Sequence, residues 1–314
     1  MACTIIAECC QNHNGDRKIL KRMVHAAGEA GADFAKIQGL RSNELTHRER
    51  FERGLVDADG TVRVISRHFE AERTRLERLD LTDEDEAWFV QECRRAGIRS
   101  MITAFTGGST QRFVAAGFDA VKVASYDCRS MPLLREVAAG FDEVYLSTGA
   151  SYDEEIAQAA TVFRPGQMAM LHCVTIYPTP LDQLHLRRIE WLRSFSSRVG
   201  FSDHTKPTET GLRASLLALA EGAEVLERHF TVLEPSATRY GPVSVDPTQL
   251  AELRSFADLD AAARRERIAK EWPEWEVGLG MAQRDLSHAE LLNRDYYGGR
   301  VAAWVDGRQV PNDQ

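Results

Sequence analysis

The most constraining feature of this sequence is a regular alternation of short apolar segments with longer segments of helical periodicity. Between Asp16 and Gly31, for example, apolar residues recur at i, i+3 and i+4, which is typical of an amphipathic helix. Eight strands alternating with eight helices predict a parallel sheet, and eight units predict closure into a (β/α)8 TIM barrel. A doubly wound open sheet is the alternative, although no Gly-x-Gly-x-x-Gly motif follows a strand.

The predicted elements follow in strict order. Strands are expected at residues 4–8, 34–38, 99–104, 120–123, 143–147, 168–173, 199–204 and 225–229. Helices are expected at residues 17–30, 83–96, 109–116, 131–139, 152–162, 185–195 and 209–222, and after Pro247.

Two stretches depart from this rhythm. Residues 40–80 are highly charged and leave the carboxyl edge of the second strand, so they are either a lid or a solvated excursion, with a short helix near Glu70 to Arg78. We expect residues 1–261 to form the barrel domain. We expect residues 262–314, which contain Trp272, Trp275, Tyr296 and Tyr297, to form an extension packed on the barrel or on a partner subunit.

Composition excludes several classes of function. The 314 residues carry a net charge of −8 and no basic stripe, which argues against nucleic acid as a partner. No apolar run is long enough to span a membrane, and the N-terminus lacks an export signal. Six scattered cysteines without a Cys-x-x-Cys pair favour free thiols and a cytoplasmic location.

Two predicted strands end in a histidine, at His204 and His229. The carboxyl ends of parallel strands meet at one edge of the sheet, so the two imidazoles should lie close together. Such a pair is half of a divalent-metal site with positions left for substrate oxygens. The alternative is that each histidine only caps its strand.

Lys36 and Lys122 lie inside strands, each between apolar residues, so both should be partly buried. Buried cations need a partner, and a substrate with a phosphate and a carboxylate is one candidate. Pairing with Glu8, Asp127 or Glu227 across the barrel is the alternative.

Seven segments of the chain, in order, resemble the successive motifs of the sialic acid (nonulosonic acid) synthase family. They are Ile6-Ala-Glu-Cys-Cys-Gln-Asn-His-Asn-Gly15, Ala35-Lys-Ile-Gln38, Lys122-Val-Ala-Ser125, Leu146-Ser-Thr-Gly149, Leu171-His-Cys-Val-Thr-Ile-Tyr-Pro-Thr-Pro180, Gly200-Phe-Ser-Asp-His-Thr205 and Glu227-Arg-His-Phe-Thr231. The resemblance implies a (β/α)8 barrel and a homodimer. It also implies condensation of phosphoenolpyruvate with an N-acylmannosamine-type aldose, which gives a 2-keto-3-deoxy sugar acid and phosphate.

The resemblance also implies roles for individual residues. The metal, most often Mn²⁺ with Mg²⁺ or Co²⁺ as alternatives, would be bound by His204 and His229. Phosphoenolpyruvate would be bound by Lys36, Thr103, Lys122, Ser125, Ser147 and Ser202. The acceptor sugar would contact Gln38, Asp127, Thr175 and Tyr177, and Glu8 would lie beside the reacting carbons.

The chain departs from the family pattern mainly on the acceptor side. We expect no complete antifreeze-like domain of the kind that longer family members carry, and Arg294 or Arg300 could take the place of its arginine. The segment from Thr238 to Ser244 lacks a carboxylate that relatives carry there. The acceptor is therefore expected to differ. Two other functions stay open: a metal-dependent sugar aldolase or isomerase on the same barrel, and a non-catalytic relative that binds a sugar or a partner.

Overall fold

The computed structural model describes residues 3–312, and within them eight parallel strands close into a barrel. The strands of the chain are Thr4–Glu8 (β1), Phe34–Gln38 (β2), Leu55–Val56 (β3), Val62–Val64 (β4), Arg99–Ala104 (β5), Ala120–Val123 (β6), Val144–Ser147 (β7), Met168–Cys173 (β8), Arg198–Asp203 (β9), Val225–His229 (β10), Ala302–Val305 (β11) and Arg308–Pro311 (β12). Around the barrel the order is β1-β10-β9-β8-β7-β6-β5-β2, and β2 pairs with β1 to close it. The predicted TIM barrel is confirmed, and the doubly wound alternative is wrong.

The helices of the chain lie on the outside of the barrel or above the carboxyl ends of its strands. They are Arg17–Glu29 (α1), Arg50–Arg53 (α2), Phe69–Glu77 (α3), Asp83–Arg95 (α4), Ser109–Ala116 (α5), Met131–Gly140 (α6), Asp153–Ala160 (α7), Arg187–Leu192 (α8), Pro207–Thr210 (α9), Arg213–Ala220 (α10), Pro247–Ala257 (α11), Ala261–Glu271 (α12) and His288–Tyr297 (α13). Local capping explains where two of them begin. Asp16 accepts a hydrogen bond from the Lys18 N–H at the start of α1, and Thr82 forms a capping box with Asp85 at the start of α4.

Two apolar layers hold the barrel together. The larger one lies between the strands and the surrounding helices and includes Leu20, Phe89 and Leu217. The smaller one fills the inside of the barrel and consists of Ile6, Phe34, Met101, Ala120, Tyr145, Ala169, Leu171 and Val225. Because the inner layer is packed with side chains, it forms the floor of any cavity at the carboxyl ends of the strands.

Residues 40–80 and 288–312 meet above those carboxyl ends, and we call them together the roof. Residues 40–80 contain α2, the β3–β4 hairpin and α3, so the predicted short helix is present and the hairpin is an addition. Leu45 forms a β-bridge with Val301, and Arg48 donates to the Gly298 carbonyl oxygen over 2.8 Å. The two halves of the roof therefore support each other.

The chain between the barrel and the last helix packs on the outside of the barrel. Helix α12 lies against α10, and Trp272 is buried in the large apolar layer. The division of the chain at residue 261 stays a prediction. Within residues 3–312, none of the helices has the length and apolar character that crossing a membrane requires.

Candidate active site

A cavity of about 500 Å³ lies at the carboxyl ends of the strands, between the apolar floor and the roof. Eleven of the thirteen predicted site residues line it: Glu8, Lys36, Gln38, Thr103, Lys122, Ser125, Tyr177, Ser147, Ser202, His204 and His229. The structure thus brings the predicted donor-binding residues and the two histidines into one space.

The period of the strands explains why these polar residues share one space. Side chains at i and i+2 of a strand face the same side. Ile6, Phe34 and Met101 belong to the apolar floor, and the residues two positions further on are polar: Glu8, Lys36 and Thr103. The same step leads from Ala120 to Lys122, from Tyr145 to Ser147, and from Val225 through Glu227 to His229.

Lys36 and Lys122 are buried and paired with carboxylates. The Lys36 ammonium contacts the Glu8 carboxylate, lies 3.5 Å from Glu227 Oε1, and donates to Thr103 Oγ1 over 2.7 Å. Lys122 pairs with Glu227. Carboxylate pairing, the alternative raised for the two lysines, is therefore present: Glu227 reaches Lys122 across the barrel, whereas Glu8 pairs with Lys36 on the neighbouring strand. This pairing coexists with the cavity that these lysines line.

The pairing shifts the pKa values of this group. Burial, against the opposing effect of Glu227 and with a smaller contribution from the Lys122 charge, lowers the pKa of Lys36 to about 7. Burial would raise the pKa of Glu227, but Lys122 and Lys36 outweigh it and hold that pKa well below its usual range. Glu227 is therefore ionised at neutral pH, whereas Lys36 can exchange its proton.

The two histidines lie side by side, with ring centroids 5.3 Å apart. Burial lowers the pKa of His204 to about 3, with a further contribution from Lys122, and burial and His204 lower the pKa of His229 well below its usual value. Both imidazoles are therefore neutral and have lone pairs to offer. His229 Nδ1 is buried and makes no hydrogen bond within residues 3–312.

Aromatic rings fix the orientation of both imidazoles. The Tyr240 ring stacks on the His229 ring, with centroids 5.1 Å apart and planes 5° apart. The centroids of the Tyr177 and His204 rings are 4.2 Å apart. Among residues 3–312, no group of three or more His, Cys, Asp or Glu side chains is arranged to hold a metal ion. A metal at the histidine pair would need its other ligands from substrate or water.

A buried ion pair on the outer side of the strands sets the position of the histidines. Asp203 and Arg228 precede His204 and His229, lie opposite each other in the β9–β10 register, and form a fully buried salt bridge. Asp203 also accepts from Ser215 Oγ on α10, and Arg228 donates to Thr205 Oγ1 over 3.0 Å. These contacts fix both strand ends relative to each other.

Two predicted residues do not reach the cavity wall. Asp127 lies in the short turn after β6, where its Oδ1 accepts from Asn312 Nδ2 over 3.0 Å, so its carboxylate points toward the roof. Thr175 is fully buried, and its carbonyl oxygen accepts from Asn293 Nδ2 over 2.7 Å. The predicted contact of these two residues with a sugar is not supported by this arrangement and stays a prediction.

The cavity also contains residues that the sequence did not assign to it. Among them are Glu227, Gln11, Tyr240, Arg67, Arg239, Asn293 and Tyr297. For Glu227 the signal was its position two residues before His229. The roof residues gave no local signal, because contacts between residues 40–80 and 288–312 bring them over the barrel. Of the two arginines considered for the cavity, Arg300 lines it, whereas Arg294 pairs with Glu155.

The chain is similar to known proteins in both sequence and fold. Residues 23–265 match the NeuB family. The chain is 30% identical over 263 residues to the N,N'-diacetyllegionaminic acid synthase of Legionella pneumophila, covering 81% of this chain and 70% of that protein. It is 30% identical over 310 residues to the N-acetylneuraminate-9-phosphate synthase of Homo sapiens, covering 96% and 78%. The crystal structure of an N-acetylneuraminic acid synthetase from Leptospira borgpetersenii superposes with a TM-score of 0.68 at 26% identity, covering 94% of this chain and 91% of that one.

Proposed function

The chain belongs to the NeuB family, and we propose that it condenses phosphoenolpyruvate with an aldose to give a 2-keto-3-deoxy sugar acid and phosphate. The observation that carries the proposal is the shared cavity, in which two buried lysines face two neutral, adjacent histidines. Relatives of this chain are named as synthases of legionaminic and neuraminic acids, which supports the same class of reaction here.

The lysine side of the cavity suits the donor. Phosphoenolpyruvate carries a carboxylate and a phosphate, and both groups form strong charge-assisted hydrogen bonds with ammonium groups. Ser147 Oγ is buried without a hydrogen-bond partner within residues 3–312, and Thr103, Ser125 and Ser202 also line the cavity. We propose that these groups orient the donor and neutralise its charge. The lysines would then share their hydrogen bonds between the donor and the carboxylates of Glu8 and Glu227.

The histidine side suits a divalent cation, and Mn²⁺ is the one we propose. Two neutral imidazoles, one with an unpartnered buried Nδ1, are good ligands for such an ion. When bound, the ion would supply Lewis-acid polarisation of the acceptor aldehyde. The rings of Tyr177 and Tyr240, which pack on His204 and His229, would hold the two imidazoles in a fixed orientation toward the ion.

The reaction then needs three bond changes. C3 of phosphoenolpyruvate attacks the aldehyde carbon, water adds at C2, and the C2–O bond to phosphate breaks as the C2 carbonyl forms. The two protons of the water go to the aldehyde oxygen and to phosphate. Glu8, which accepts from the Cys10 N–H over 2.6 Å and contacts Lys36, is the carboxylate we propose to orient that water. Lys36, with a pKa of about 7, can supply or accept a proton during the same step.

Phosphate release is the test. The purified protein is incubated with Mn²⁺, phosphoenolpyruvate and a panel of aldoses, and inorganic phosphate is measured over time. Release that requires both an aldose and phosphoenolpyruvate supports the proposal. Conversion of a sugar without phosphoenolpyruvate would instead favour an aldolase or isomerase, and tight Mn²⁺ binding without any turnover would favour a non-catalytic relative.

A further inference from the structure

Three arginines line the roof end of the cavity, and the two lysines line it next to the apolar floor. Arg67 comes from residues 40–80, Arg239 from the loop after β10, and Arg300 from the segment after α13, and all three line the cavity. None of them lies in a barrel strand, so they form a second cationic region at the roof end of the same space.

The contacts between these arginines hold them as one group. The Arg67 and Arg300 guanidinium carbons lie 5.9 and 5.3 Å from the centroid of the Tyr297 ring, and both also lie over the Tyr296 ring. Arg239 Nη1 lies 3.3 Å from Glu72 Oε2, and Arg300 pairs with the same carboxylate. Guanidinium groups held on rings and on one carboxylate lose little freedom when they bind an anion.

The positive charge of this group exceeds what its carboxylate neutralises. Within residues 3–312, Glu72 is the carboxylate paired with Arg239 and Arg300, and it pairs with Arg75 as well. Arg67 is in no ion pair among these described residues, and its Nη1 is buried without a hydrogen-bond partner there. Arg67 lines the cavity, so it adds there a positive charge that no carboxylate of the described residues neutralises, and an anionic ligand would neutralise it.

We propose that Arg67, Arg239 and Arg300 form a subsite for an anionic group, a phosphate or a carboxylate, on the acceptor at the end remote from its aldehyde. The inference rests on the proposed condensation, in which the lysines take the donor. Guanidinium forks match the paired oxygens of phosphate and carboxylate groups. The acceptor would then extend from the histidine pair to the roof, with its aldehyde at the histidines and its anion at the arginines.

Binding of unreactive acceptor analogues tests the subsite separately from catalysis. D-mannitol, D-mannitol 1-phosphate and D-mannonate differ in one terminal group and have no aldehyde, so they cannot be condensed. Their dissociation constants are measured by calorimetry on the full chain with Mn²⁺ and phosphoenolpyruvate present, so that the donor occupies the lysines. Phosphate release, measured separately, reports on the proposed function and does not depend on this result.

We expect at least one of the two anionic analogues to bind about tenfold or more tightly than mannitol. We expect Arg67→Gln and Arg239→Gln each to remove most of that difference, whereas Arg265→Gln on the exposed face of α12 leaves it unchanged. The tighter of the two anions identifies the group that the subsite accepts. Equal binding of charged and neutral analogues would overturn the inference, as would an equal loss in Arg265→Gln. Melting temperatures of the variants separate loss of binding from loss of folding.

Discussion

Replacement of Glu227 by glutamine tests the charge balance on which the cavity depends. Glu227 is buried, lies 3.5 Å from the Lys36 ammonium and pairs with Lys122. Glutamine keeps the shape but removes the charge, so Lys36 keeps Glu8, whereas Lys122 has no other ion-pair partner within residues 3–312. Removing one partner of a buried ion pair typically costs about 3–5 kcal/mol.

Two effects reduce this cost. Glutamine retains a hydrogen-bond acceptor for the lysines, and Lys36, whose pKa burial lowers to about 7, can lose its proton, which removes one of the two positive charges of the group. We therefore expect Glu227→Gln to lower the free energy of unfolding by about 2–4 kcal/mol at neutral pH.

Equilibrium unfolding in urea measures this loss. Glu209→Gln is the matched control, because Glu209 also pairs with a lysine, Lys206, but its side chain is 59% exposed. An exposed pair contributes about 0–1 kcal/mol, so the control should stay close to the wild type. If Glu227→Gln proved as stable as the control, the reasoning about buried charge would be refuted. Added phosphoenolpyruvate should raise the melting temperature of Glu227→Gln more than that of the wild type, because its anionic groups replace the missing carboxylate.

Three further sets of substitutions, at the histidine pair, at the Asp203–Arg228 ion pair and at Glu72, have defined outcomes. His204→Ala and His229→Ala should each abolish phosphate release, and a variant that kept a near-normal, fully metal-dependent rate would contradict the proposed ligand pair. Arg228→Met should cost about 3–5 kcal/mol in urea unfolding by leaving Asp203 buried and unpaired, and adding Asp203→Asn should recover part of it. At Glu72, burial alone would raise the pKa of the carboxyl group, but the neighbouring arginines outweigh it and lower that pKa from 4.5 to about 2. Its stabilising contribution is thus complete above pH 4.5 and lost as the pH falls toward 2, so Glu72→Gln should flatten the acid limb of stability against pH.

The barrel could be predicted from the sequence because its elements are signalled locally. The predicted strands at 34–38, 99–104, 120–123 and 168–173 have the same bounds in the structure. Helix α8 is shorter than the predicted 185–195. His185 adopts a left-handed φ of 53°, and the Leu186 N–H donates to the Gly278 carbonyl oxygen. No local sequence pattern predicts this contact.

The cavity was predictable to the extent that strand ends share one edge of a barrel. The residues that line it from the strands follow from period-two alternation, whereas those from the roof depend on pairing between distant segments, as between Leu45 and Val301. The orientation of Asp127 depends on Asn312, which lies 185 residues further along the chain. The metal, the homodimer and the cytoplasmic location stay predictions.

The roof has its own apolar clusters, and this has a consequence for motion. Leu45, Leu76 and Val301 form one cluster, and Phe51, Val64 and Tyr296 form another, both separate from the large layer around the barrel. A unit with a small core of its own can melt locally at a lower free energy than the whole molecule. Amide hydrogens of the roof should therefore exchange with solvent well before those of the barrel strands. Substrates would then enter the cavity through a transient opening of the roof, while the strand ends that carry the lysines and histidines keep their structure.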